Sequence, residues 1–407
     1  MITNRNIIFI SSIEWDFHWQ IHQEIASRLA KAGNHVLYIE NTGVRAPRLR
    51  DAKRIAVRLK NIGTSLFSLG VRQVAPNIHV LSPIVLPPFG SFSQRFINRR
   101  FLLPKIKGIA QKLGMRDPLL WSYLPTDTAV DLIEMLRTRD SAIIYYCGAD
   151  FSQLTPQVDK LRHSETALFK TADVVFTFCP QLVEHCEKWN GNVHNVPAGV
   201  NLEIFHTGHT GIDESAASSS SAYHEITRFL SSLSHPVIGY VGGMHKFVDY
   251  NLLKESAKVR PQWSWVFVGA IQEETNGLSA LPNVHILGQQ PHQHLAHYIR
   301  QFDICLIPYL NDPATATTLP TKLNEYLALG KPVVSTELPA ICDFNRRHQI
   351  LTTALNQPDS FLRAIEHALK LPTDERIIAR RWEVAALGDW QSCLRNMSET
   401  IEAVLQK

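Results

Sequence analysis

The stretch Ile304–Thr336, ICLIPYLNDPATATTLPTKLNEYLALGKPVVST, contains a strand, a loop, a helix and a second strand in that order. Ile304–Ile307 is an unbroken apolar run that stops at Pro308, the pattern of a strand buried on both faces. A polar loop follows. Pro320 stands where a first helical residue is expected, and Gly330 where a helix ends. Between them Leu323, Leu327 and Ala328 recur on one face, which would pack on a sheet. Lys322 and Glu325, three apart, share one side of the first two turns. Val333–Ser335 then reads as the next strand, and the whole is one βαβ unit of a parallel sheet.

The chemistry of this unit is that of an anion site. The amides of Thr317, Thr318 and Leu319 would point out of the helix start, beside the positive end of the helix dipole and the Lys322 ammonium. One turn deeper, Glu325 can accept hydrogen bonds from a diol such as a ribose. The plainer alternative is a surface helix whose Lys322–Glu325 pair contributes only about 0.2–0.5 kcal/mol.

The same alternation runs outward in both directions. Toward the N-terminus, strands are expected at Ile7–Ser11, Val36–Glu40, Leu119–Ser122, Ile143–Cys147, Val174–Phe178 and Val193–Val196, with helical stretches near His18–Lys31, Asp127–Arg137, Pro156–Lys170 and Pro180–Trp189. Nearer the quoted stretch lie Val237–Val241, Trp265–Val268 and Val284–Leu287. The turn Pro197-Ala198-Gly199-Val200-Asn201 and the low-complexity run Ser215–Ala222 separate the halves. The expectation is an α/β protein of two doubly wound, Rossmann-like domains, residues 1–198 and 199–387, facing a central cleft. A helix within 388–407 would cross back to the first domain.

The 407 residues are 45 % hydrophobic and 19 % charged, which is ordinary globular composition. Ile7–Ile10 is too short an apolar run for a signal peptide, and four prolines break the weakly charged stretch 73–94. Six scattered cysteines without a Cys-x-x-Cys pair fit reduced thiols in a cytoplasmic protein. The net charge of +4 hides an asymmetry: residues 1–120 hold 18 basic and 6 acidic residues, a balance of +12, and the rest carry −8. Arg45–Lys60 has seven cations against Asp51, and Arg95–Arg116 has seven and no acid. Such a face would attract anionic lipid headgroups; no nucleic-acid module accompanies it. In the second segment Phe96, Leu103, Ile106, Ile109, Ala110 and Leu113 fall near a helical period, so that part of it should be buried or inserted.

The run P-T-K-L-N-E-Y-L-A-L-G-K-P-V-V-S-T resembles the donor-binding signature of GT-B glycosyltransferases of family 4, the glycosyl transferases group 1 type. The resemblance extends to PAGVN at the hinge, Gly239-Tyr-Val-Gly-Gly, Asn283-Val-His-Ile-Leu-Gly and Phe302-Asp-Ile-Cys-Leu-Ile-Pro. Glu165, Ala172-Asp-Val-Val-Phe-Thr and the opening SSIEWDFHWQ are similar to members acting in bacterial cell-surface polysaccharide synthesis. It implies transfer of a sugar from a nucleotide diphosphate sugar, most commonly a UDP-sugar, to a glycan or lipid-linked acceptor. It also implies retention at the anomeric carbon, without a metal or other cofactor. The chain has no Asp-x-Asp pair of the kind that metal-bridged transferases use. Two rivals remain: a nucleotide-sugar 2-epimerase of the same fold, and a non-catalytic glycan-binding scaffold.

In this frame Lys322, Gly242, Gly243, His245 and Lys246 would meet the diphosphate, with Lys322 and Lys246 stabilising its departing charge and the glycines admitting the backbone. Glu325 matches the acid that holds the ribose, and Gln289 lies where relatives seat the base. Thr317 stands eight residues before Glu325, where the family carries another acid. Acceptor contact is expected from Trp15, Asp16 and His18 after the first strand. Asp150 would either approach the sugar or cap a helix. His292, His294 and His297 read as a solvated helix start, not a metal site, and Asp303 as structural.

Overall fold

A computed structural model describes residues 1–16, 19–40, 70–153, 155–197, 199–205 and 221–406. The chain divides into two compact units, Met1–Pro197 with Cys393–Lys407, and Ala198–Ser392. Both are parallel α/β sheets. The first holds β1 (Asn6–Ile10), β2 (His35–Ile39), β3 (Val71–Ala75), β4 (Ile78–Leu81), β5 (Leu119–Ser122), β6 (Ile143–Cys147), β7 (Val174–Thr177) and β8 (Val193–Asn195) in the spatial order β3-β4-β2-β1-β5-β6-β7-β8. Only β3 runs antiparallel, paired with β4. The second holds β9 (Val237–Val241), β10 (Ser264–Val268), β11 (Val284–Ile286), β12 (Ile304–Ile307), β13 (Val333–Thr336) and β14 (Thr352–Ala354) in the order β11-β10-β9-β12-β13-β14.

These strands are mostly apolar because helices cover both faces: every residue of β5, β6, β7, β9, β10, β12 and β13 is buried. The strand order of the second sheet reverses direction between β9 and β12, and that of the first between β1 and β5. A crevice opens at the carboxyl ends of strands at such a switch point, which makes it the usual ligand position in open α/β sheets.

The quoted stretch folds nearly as its sequence indicates. Its helix is Lys322–Ala328, so Pro320 precedes the helix instead of opening it; Pro320 accepts from the Leu323 amide. Leu323, Leu327 and Ala328 are buried. Gly330 ends the helix with φ +69, its amide bonded to Leu327 and that of Lys331 to Tyr326, which closes the last turn. A Cβ on Gly330 would meet Ile378 at 2.8 Å, and the buried Arg381 donates to the Gly330 carbonyl at 2.8 Å. The helix Glu375–Ala386 thereby covers the outer face of Lys322–Ala328.

The basic segment Arg95–Arg116 departs from expectation. It is a helix at Phe92–Ile97, a π-helical stretch at Asn98–Leu102 and a second helix at Leu103–Lys112. Each π residue advances less around the axis than an α residue, so the two ends fall out of phase. Leu103, Ile106, Ile109 and Ala110 are buried as expected, but Phe96 is 53 % exposed. The segment's charge is also partly neutralised, because Arg95 and Arg99 pair with Asp131 and Arg99 with Glu134 from the helix Asp127–Leu136. The segment Arg45–Lys60 and most of Ser215–Ala222 lie outside the described residues.

Candidate functional site

Lys322 is the centre of the arrangement. It is 8 % exposed, and no carboxylate pairs with it among the described residues. Its Nζ donates to the phenol oxygens of Tyr309, at 2.5 Å, and Tyr240, at 3.4 Å, and sits over both rings, 4.8 Å and 4.7 Å from their centroids. A lysine taken out of water normally keeps a carboxylate beside it. Here only neutral phenols and ring faces, the partners of a cation–π contact, surround it. Burial drives the Tyr240 phenol well above its usual pKa and so keeps it neutral.

The strand ends at the switch point between β9 and β12 build this cradle. Tyr240 belongs to β9, and Tyr309 follows β12 after Pro308. Thr336 pins the Tyr309 backbone, giving its hydroxyl to the Tyr309 carbonyl at 2.6 Å and accepting from the Tyr309 amide at 3.1 Å. Asn356 donates to the same carbonyl at 2.9 Å. Tyr326, on the Lys322 helix, accepts from the Val241 amide at 2.8 Å and so ties that helix to the end of β9.

Gly242 follows β9 directly, with φ +135, and a Cβ there would lie 2.9 Å from the Lys322 Nζ. Gly269, after β10, would place a Cβ 1.9 Å from the Gly242 carbonyl oxygen. Only glycine lets these two loops approach each other beside the lysine. Gly243 accepts at its carbonyl from the Tyr240 hydroxyl at 2.8 Å. His245 packs edge-on against Tyr309. Burial and the Lys322 charge lower its pKa to about 4, so it is neutral at pH 7. Its Nδ1 accepts from the Phe247 amide, which leaves Nε2 as the protonated, donating nitrogen.

Glu325 does not pair with Lys322. Its carboxylate meets the Nε2 of His292 at 3.3 Å, and His292 in turn lies edge-on to the buried Phe205. His292 is therefore half-buried and partnered instead of solvated, through a contact 33 positions away that no local pattern marks. His294 and His297 lie against each other. Among the described residues no cluster of His, Cys, Asp or Glu could hold a metal ion.

The loop before the helix is less open than its sequence indicates. The Thr318 amide donates to the Thr315 carbonyl at 2.9 Å and is occupied by that turn, while the Asp312 carboxylate accepts from the Ala314 and Thr315 amides. Thr317 is half-buried and Leu319 buried. Lys246 is exposed, over the Phe247 ring, and Gln289 is exposed after the Gly288 turn.

In the first unit, described residues of the segment after β1 are tied to neighbouring strands. Trp15 donates its amide to Glu40 and lies edge-on to Tyr38. Asp16 pairs with Arg72 at 2.7 Å, and His18 lies outside the described residues. Asp150 accepts from the amide and hydroxyl of Ser152, the capping arrangement that was its alternative reading. Behind the loop, Ser11 meets His22 at 2.7 Å and Tyr38 at 2.6 Å, and burial lowers the His22 pKa to about 3. Asp303 accepts from the Val237 amide and from His235, a structural role as expected.

Residues 235–370 match the sequence profile of the family described as Glycosyl transferases group 1. The putative teichuronic acid biosynthesis glycosyltransferase TuaH of Bacillus subtilis (strain 168) is 28 % identical over 247 residues, 58 % of this chain and 58 % of that protein. The match thus spans little more than half the length of that relative. Sucrose-phosphate synthase from Thermosynechococcus elongatus superposes with a TM-score of 0.70 at 16 % identity, over 99 % of this chain and 100 % of the other. Anabaena Alr3699/HepE, solved in complex with UDP-glucose, gives 0.67 at 14 % identity, over 98 % and 99 %. These likenesses establish the fold, which is GT-B, and residues 235–370 of this chain resemble the glycosyl transferases group 1 family.

Proposed function

We propose that the protein is a glycosyltransferase that moves a sugar from a nucleotide diphosphate sugar, a UDP-sugar first among the candidates, to a glycan or lipid-linked acceptor. The observation that carries this reading is the buried Lys322, partnered only by Tyr240 and Tyr309, beside Gly242 at the switch point of the second sheet. A positive charge held without a counter-charge attracts an anion strongly where water is scarce. A diphosphate fits that demand. Neutral His245 adds an N–H donor, and the amides of Gly243, Thr317 and Leu319 supply further ones, that of Gly242 being given to the Val268 carbonyl. Glu325, released from His292, would accept from the ribose hydroxyls, and Gln289 would meet the base. Lys246 completes the charge at the rim.

The reaction we propose retains the anomeric configuration and uses no metal. The bond from the anomeric carbon to the diphosphate oxygen breaks, and Lys322 stabilises the charge developing on that oxygen. The same oxygen then takes the proton of the acceptor hydroxyl, which bonds to the anomeric carbon from the same face. Asp150 and the loop carrying Trp15, Asp16 and His18 would serve the acceptor. TuaH is by its name a teichuronic acid enzyme, which favours a cell-surface glycan as acceptor here too. We also place the protein in the cytoplasm, peripheral to a membrane; its six free cysteines suit a reducing compartment. No helix among the described residues is long and apolar enough to cross a membrane.

Calorimetric titration with a panel of nucleotide sugars, followed by product analysis with and without a lipid extract, tests the reading. Tight binding of one donor and transfer to an acceptor are expected. A donor converted without any acceptor would indicate an epimerase, and binding without turnover a scaffold.

A further inference from the structure

The helix Phe92–Ile97 is inside out. Its arginine reaches toward the protein, and its aromatic residues face solvent. Arg95 makes two bonds to Asp131, at 2.9 Å and 2.7 Å, and Arg99, one turn on, adds a third at 2.8 Å. The Asp131 side chain is only 1 % exposed. None of the helix's own residues is buried: Phe92 is 88 % and Phe96 53 % exposed, and Phe101 beyond it is 55 % exposed. A surface helix ordinarily does the opposite. The helix is nonetheless well fixed, by the ion pairs and by a capping box in which Ser91 and Gln94 exchange hydrogen bonds.

We propose that Phe92, Phe96 and Phe101 form an anchor that inserts into the headgroup region of an anionic lipid bilayer. Three observations favour lipid over a protein partner. The groove of about 480 Å³ beside Phe92 and Phe96 is walled by Arg95, Arg99 and Arg100, donors suited to lipid phosphates. Arg100 lies against the Phe101 ring, so cation and aromatic would meet the interface together. The continuing helix Leu103–Lys112 exposes Lys105 and Lys107 with no acid on the segment. Since Asp131 and Glu134 already neutralise part of the arginine charge, apolar insertion and not charge alone must hold the protein there. This deepens the membrane-surface part of the proposed function. Its test reads vesicle binding and not sugar transfer, so the two can fail separately.

The full chain is floated with vesicles of phosphatidylcholine and phosphatidylglycerol, two to one, at low and high salt. The wild type should bind, and high salt should weaken the binding without abolishing it. The triple variant Phe92→Ser, Phe96→Ser, Phe101→Ser should bind about tenfold or more weakly, with unchanged melting temperature and unchanged donor affinity. Phe96→Trp should bind at least as well as wild type, since tryptophan favours the interface. Vesicle binding unaffected by the triple substitution would overturn the proposal. So would a wild type that ignores these vesicles, or one whose patch mediates self-association in sedimentation while vesicle binding stays the same.

Discussion

The ammonium of Lys322 donates to the phenol of Tyr309 at 2.5 Å, and no carboxylate among the described residues shares it. A charge kept in this way costs the folded state, and under the proposed function it serves the donor diphosphate. Lys322→Met, which keeps the length and removes the charge, should leave the melting temperature equal or higher. Turnover should fall by about 10²–10³, the range for losing one charge-stabilising donor. Thermal denaturation and steady-state rates measured on the same preparation decide it, and a variant that is less stable but fully active would refute the assignment.

Glu325 meets His292 in the free protein and is proposed to hold a ribose when the donor binds. Glu325→Gln removes a charged acceptor, worth about 1.5–3 kcal/mol, so nucleotide affinity should drop about ten- to a hundredfold. His292→Ala removes a competitor and should leave affinity equal or slightly improved. Titration of both variants with UDP measures the difference; equal affinities in all three proteins would move the ribose elsewhere.

Gly269 meets the Gly242 carbonyl so closely that Gly269→Ala must displace the loop beside Lys322. The positive φ of +155 adds backbone strain of about 1–3 kcal/mol. Stability should fall by at least that amount, and donor affinity with it. Gly277→Ala, at an open turn with φ +80, should lower stability less and spare the donor. Urea unfolding and titration together compare them.

Burial holds the His22 imidazole near pH 3 against an ordinary 6.5. The unfolded chain therefore binds the extra proton between those values. The stability that this neutral group contributes is complete above about pH 6.5 and is lost as pH falls toward 3. His22→Gln should flatten that part of the stability curve. Urea midpoints at closely spaced pH values would show it, and parallel curves for the two proteins would exclude His22 as a source.

Much of this was legible in the sequence because buried parallel strands are continuous apolar runs. Val237–Val241, Ile143–Cys147 and Ile304–Ile307 have the bounds their composition indicates. The β3–β4 hairpin escaped notice because half-buried Arg72 and exposed Gln73 interrupt any apolar pattern at that edge. Phe96 falls out of phase with the buried face because a period of 3.6 does not register a π-helical stretch. In the site, Lys322 and Glu325 announced themselves through spacing and family pattern. Their partners did not: Tyr240 is 82 positions from Lys322, and nothing local marks a tyrosine as the cradle of a lysine. Tyr309, only 13 positions away within the same stretch, was not singled out either, although a hydroxyl just past a buried strand end sits where ligands are met.

Arg381 and Ile378 close over Gly330 from a helix that starts at Glu375, five residues beyond the last one matched by the family profile. Anyone who excised the second unit at the end of that match would strip away the backing of the helix Lys322–Ala328. The guanidinium that clasps the Gly330 carbonyl would be gone, and the helix Lys322–Ala328 would lose its cover on that side. The functional module of this protein is therefore longer than its sequence signature, and a fragment meant for crystallography or engineering should run past Ala386.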